Sequence, residues 1–126
     1  MISMAQWGLI ILLSLFLVLH FTILLKLIPY NLVWGGRLKS DKEMYRFEFF
    51  SILINSLFVI VILVQGNFLT IDIPKKIITY ALWLMTGLFL LNTLGNITSK
   101  NKLEQRLFTP ITILLTIFSL ILALSN

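Results

Sequence analysis

The sequence predicts an all-α protein, a transmembrane four-helix bundle in a single domain. Three observations predict it. Four apolar runs are each long enough to cross a bilayer. Charged residues make up only 12% of the 126 residues, against 59% hydrophobic, where a soluble domain would be roughly a quarter charged. The charges that do occur lie between the runs or at their ends. One small soluble core cannot hide that much apolar surface, whereas a bilayer leaves the outside of the protein apolar as well.

The elements follow in order. A bilayer core of about 30 Å needs roughly 20 apolar residues per helix. The first span is expected over 5–28, closed by Pro29 with Tyr30 and Trp34 as interfacial aromatics. No Lys or Arg precedes it, so it reads as a retained helix rather than a cleaved signal peptide. Gly35-Gly36 marks a turn. Ser40-Asp41-Lys42-Glu43 is an S-x-x-E capping box that starts the second helix, which spans 47–64 and ends at Gln65-Gly66-Asn67. The third span is expected over 77–97, with Pro74 near its first turn, where a missing N–H costs nothing. The fourth is expected over 108–124, with Thr109-Pro110 as N-cap and first helical residue and a short interfacial helix over 102–107 bending into it. A competing reading starts the helix at Asn101, with Glu104 three residues on, and places Pro110 inside it.

Orientation follows from the basic residues. Lys26, Arg37, Lys39, Lys42 and Arg46 flank the first loop and Lys100, Lys102 and Arg106 the third, which is eight of the ten; only Lys75 and Lys76 flank the second. The positive-inside rule then places loops 29–46 and 98–108 in the cytoplasm and both termini outside, as expected of a multi-pass protein of the cell membrane. The same placement argues against nucleic acid as a partner. These cations lie beside apolar runs, where they orient helices and meet anionic lipid.

Intramembrane polar residues are the natural place to seek function, because each is costly there. Counted from the cytoplasmic ends of the expected spans, His20, Asn55, Asn92 and Thr116 all lie about 8–12 Å deep at 1.5 Å per residue. They come from four different helices and are expected to face one another. Ser51 and Asn55, and likewise Asn92 and Asn96, are four apart and share a helix face. Thr109, Thr112, Thr116, Ser119 and Ala123 form a small, polar stripe. Two readings stay open for this layer: hydrogen-bonded packing between helices, or a solvated pocket or permeation route. His20 is the sole histidine; it reads either as a neutral side chain bonded to a neighbouring helix or as a proton relay. Glu48 reads either as a solvated interfacial carboxylate or as an acid pointing into the bundle. Asp41, Glu43, Asp72 and Glu104 read as loop or interfacial groups. Trp34, Arg37 and Lys39 form a candidate lipid-headgroup contact.

With no cysteine and one histidine, neither a metal nor another cofactor is expected. Hydrolase, nucleotide-binding and zinc-protease motifs are missing from the sequence, so no catalysis is expected. The first span lacks the embedded Glu of small multidrug transporters, and the chain lacks the Gly-rich and Asn-containing motifs of fluoride channels. The segments Trp34-Gly35-Gly36-Arg37-Leu38-Lys39-Ser40, Asn92-Thr93-Leu94-Gly95-Asn96 and Thr109-Pro110 resemble those of uncharacterised small four-helix bacterial membrane proteins, a resemblance that implies no function. Two function classes result: a transporter or channel-like protein for a small solute or ion that uses the polar layer, or a non-catalytic membrane subunit or lipid-binding protein. The partners expected are membrane lipid and either further copies of the chain or a larger membrane complex.

Overall fold

The computed structural model describes residues 1–30 and 38–126, and among these every regular element is helical. The helices are α1 (Ile2–Leu24), α2 (Asp41–Gln65), α3 (Lys75–Ile97) and α4 (Lys102–Ser125). All four are long and apolar enough to cross a membrane. At 1.5 Å per residue each is about 35 Å long, enough for a bilayer core of roughly 30 Å. Sequential helices run antiparallel. The α3–α4 and α1–α2 pairs pack most closely and α1 closes the ring against α4, while α2 and α3 touch only lightly.

Helix ends follow local chemistry. Ser40 caps α2 by accepting the Glu43 amide at 3.2 Å, the first half of the expected capping box. Pro74 sits immediately before α3 and its carbonyl accepts from the Ile77 and Ile78 amides. Both α1 and α2 end in a Schellman motif. In α1 the Lys26 amide bonds the Ile23 carbonyl and the Leu27 amide that of Thr22; in α2 Asn67 and Phe68 do the same to Val64 and Leu63. The motif requires a left-handed residue, supplied by Lys26 (φ 62°) and Asn67 (φ 61°).

Two expected boundaries move. The first helix was expected to run to residue 28, on the strength of continuous apolar sequence, but it stops at Leu24. Lys26 turns the chain, and its ammonium bonds Asp41 at 2.6 Å at the start of α2 and lies over the Tyr45 ring. The hydrogen bonds to Asp41 and then Tyr45 hold the Lys26 ammonium above the ordinary lysine pKa. The fourth helix is continuous from Lys102, with Pro110 inside it, so Thr109 is not its cap. Asn101 is: its side-chain oxygen accepts from the Leu103 and Glu104 amides at 2.9 and 3.2 Å. Those two bonds satisfy amides that otherwise lack partners at a helix start, and they extend α4 upstream of the proline.

One end of the bundle gathers the C-termini of α1 and α3 and the N-termini of α2 and α4. Among the described residues, these helix ends and the segments between them carry Lys26, Lys39, Lys42, Arg46, Lys100, Lys102 and Arg106, so it is called the basic end. Two apolar clusters fill the interior. The larger occupies the half away from the basic end: Leu9 and Leu13 from α1, Phe58 and Ile62 from α2, Leu82, Met85 and Phe89 from α3, and Leu115 and Leu122 from α4. Gly8 lets α1 approach α4 so closely that a Cβ there would overlap the Phe118 ring. The smaller cluster, Ile23, Leu38 and Met44, lies at the basic end, with Ile28, Tyr30 and Phe108 packed on it. Large aliphatic and aromatic side chains cover most of the outer surface, as expected where the surroundings are also apolar.

Candidate functional site

Between the two apolar clusters lies a polar layer. Its centre is a contact between His20 of α1 and Glu48 of α2, with Nδ1 and Oε2 2.5 Å apart. The Glu48 side chain is 0% exposed and that of His20 13%. Helix periodicity puts both on inward faces. Glu48 follows buried Met44 by one turn and precedes buried Ser51, and His20 precedes buried Ile23. The α1–α2 packing then brings the two together. A carboxyl group so deeply buried needs hydrogen-bond partners, and the imidazole supplies one.

The pair adjoins a cavity of about 210 Å³, lined by His20, Ser51, Asn55, Asn92, Asn96, Glu104 and Thr112 on its polar side and by Phe16, Leu19, Phe89, Leu91 and Phe108 on its apolar side. All four helices contribute. Phe16 and Phe108 meet edge to face at 5.8 Å, holding α1 and α4 in register on one wall. Asn96 reaches from α3 to α4, donating to the Thr112 hydroxyl at 3.3 Å. Thr112 in turn donates to its own helix, to the Phe108 and Thr109 carbonyls. Asn55 donates to the Ser51 carbonyl one turn earlier, at 2.8 Å.

The predicted layer is only partly reproduced. His20, Asn55, Asn92 and Asn96 do line one cavity. Thr116 does not. It lies one turn further along α4, and its hydroxyl bonds back to the Thr112 carbonyl at 2.8 Å. The fourth-helix stripe therefore supplies one interhelical bond among those described, through Thr112, while the Thr109 and Ser119 hydroxyls are buried without a hydrogen bond. Asn92 is exposed at the cavity's edge rather than enclosed. Glu48, for which a solvated position was the competing reading, is fully buried.

Glu104 was expected at an interface and is instead buried at 2% exposure in the cavity wall. One signal was present in the sequence: three residues after a cap at Asn101, Glu104 begins the same face of α4 as Phe108 and Thr112. Lys39 is exposed, while Trp34 and Arg37 lie outside the described residues, and with them most of the candidate headgroup contact. Among the described residues no three metal-ligating side chains converge.

Chemically, the layer offers one imidazole, two carboxyl groups, three carboxamides and two hydroxyls in an apolar span. Carboxamides and hydroxyls both donate and accept hydrogen bonds, and the imidazole and carboxyl groups can also take up or give up a proton. At the opposite end, a second concavity of about 370 Å³ is lined by residues that include Gln65, Asn67, Asp72, Lys75 and Asn126. There Gln6 bonds Gln65 at 2.8 Å and Asn126 bonds Thr79 at 2.7 Å, tying the helix ends together. Comparison with models of protein families, with curated proteins and with solved structures finds no match to this chain.

Proposed function

We propose that this multi-pass membrane protein is a carrier for a small solute, with the cavity beside His20 and Glu48 as its binding site. The observation that carries this reading is the concentration of polar and ionisable side chains from all four helices around one intramembrane cavity of about 210 Å³. Ionisable groups within membrane spans are expensive and mark ligand or ion pathways far more often than they serve packing. The cavity is smaller than the roughly 300–1,000 Å³ of drug-sized pockets, so its ligand, or the part of the ligand it encloses, is small. The large apolar cluster between the cavity and the opposite end favours alternating access over an open pore. The basic end faces the cytoplasm in this reading, with both termini outside, since cytoplasmic loops carry the excess of Lys and Arg.

The test is flux into proteoliposomes measured over a panel of small amines, amino acids, polyols and organic acids. At least one class is taken up by the wild type, and its uptake falls at least tenfold in Glu48→Gln and in Asn55→Leu. Uptake of no class, with the purified chain folded, removes the carrier reading.

A further inference from the structure

The position of the cavity's mouth narrows the class of ligand; this inference rests on the cavity being a binding site. One turn toward the basic end from His20 and Glu48, the described chain closes over the pair with Ile23 and Met44, both fully buried, and with Leu38 packed on them. Toward the other end the cavity meets Phe89 and, beyond it, the large apolar cluster. The side is different. Helices α2 and α3 touch only lightly, and the lining residues Leu91 (62% exposed) and Asn92, both of α3, are exposed. Asn92 is five residues before the end of α3, which puts it about 8 Å inside the helix end. An opening at that depth in a membrane helix faces acyl chains rather than bulk water.

We propose that the cavity takes a single-chain amphiphile sideways from the membrane. Its hydroxylated head group lies among Asn55, Asn92, Asn96 and Thr112, and its chain leaves between α2 and α3 past Leu91. Asn55, Asn96 and Thr112 are buried or half-buried in the cavity and Asn92 and Leu91 are exposed at its edge, the order that such a molecule would match. Carboxamides that donate and accept suit hydroxyls, which do the same. The enclosed volume is sized for a head group, not for a whole lipid.

Two glycines on α3 allow a clean test, because a Cβ at either meets nothing within 4 Å. Gly95 lines the cavity and Gly87 does not. The full chain in phosphatidylcholine nanodiscs is labelled with a photoreactive monoacylglycerol, and the modified residues are mapped by mass spectrometry. Labelling is expected on the α2 and α3 wall around Asn55 and Asn92, competed by monoolein and not by glycerol. It falls at least tenfold in Gly95→Leu and is unchanged in Gly87→Leu. Competition by glycerol places a water-borne solute in the cavity, which overturns lateral entry and leaves the carrier reading standing. Labelling that ignores Gly95→Leu, or no labelling of that wall, also overturns the inference, while the flux panel judges the carrier reading separately. If Gly95→Leu folds poorly, a spin label at Asn55→Cys decides, since the chain has no other cysteine. More frequent collision with membrane-dissolved oxygen than with a water-soluble nickel chelate supports lateral access, and the reverse overturns it.

Discussion

Replacing His20 by leucine removes the imidazole that meets Glu48 at 2.5 Å and leaves the carboxyl group at 0% exposure. Leaving a buried polar group without its hydrogen-bond partner costs about 1–3 kcal/mol, and more where the group is charged. Ordinary hydrogen bonds between membrane helices are far weaker, averaging about 0.6 kcal/mol with a maximum of about 1.7. The Glu48 side chain is fully buried, so His20→Leu should cost about 2–3 kcal/mol. Glu48→Leu should cost less, since the His20 side chain is partly exposed and Glu48 is not. In the double variant neither polar group loses its partner, and the penalty should fall below the sum of the singles by more than about 1.7 kcal/mol, the upper bound for an ordinary interhelical bond. The assay is reversible unfolding in mixed micelles by titration with a denaturing detergent. Additive penalties, or a cost for His20→Leu of about 0.6 kcal/mol, would show the contact to be an ordinary interhelical bond and refute the reasoning.

Other consequences can be checked in the same assay. Gly8→Ala should lose about 1–3 kcal/mol, since its Cβ would overlap Phe118; Gly87→Ala, with open space around it, should gain about 0.5–1 kcal/mol from helix propensity. Asn101→Ala should lose about 1 kcal/mol and Asn101→Ser should restore most of it, because the serine hydroxyl can still cap α4; equal stability of all three would detach the cap from the helix start. Lys26 has its pKa raised by Asp41 and then Tyr45, so the stabilisation from that contact is complete below the ordinary lysine pKa and disappears as pH rises through the higher folded value. Hydrogen exchange at the last turn of α1 should therefore accelerate above that range relative to Lys26→Met, and a pH-independent ratio would contradict the contact.

What could be read from the sequence depended on which physical signal decided each feature. Apolar runs determined the spans, and the S-x-x-E signature located the start of α2, because both are local. The end of α1 could not be read this way: residues 25–28 are apolar apart from Lys26, and the stop comes from that lysine, turned left-handed and held by Asp41 across the loop. At α4 two local signals competed, Asn101 as a cap and Pro110 as a start. The cap prevails because it satisfies two amides, while Pro110 removes a single donor from a helix that neighbours support.

Depth counting brought His20, Asn55 and Asn92 together, since equal rise per residue places equal offsets in one layer. It says nothing of rotation about a helix axis. Thr116 therefore turned out to bond its own backbone, and the burial of Glu104 went unseen. The pairing of His20 with Glu48 is a tertiary fact of how α1 and α2 are rotated against each other.

The centre of the polar layer is the imidazole–carboxyl contact of His20 and Glu48. Because His20 is the chain's sole histidine, a ¹⁵N label in its ring reports on one site. The direct measurement is solid-state NMR dephasing between the ring nitrogens and ¹³C-labelled Glu side-chain carboxyls, with the chain in lipid bilayers. Strong dephasing of Nδ1, consistent with a direct hydrogen bond, is expected, as is its loss in Glu48→Gln prepared with the same labels. No dephasing in the wild type, or dephasing that survives Glu48→Gln unchanged, would contradict the contact.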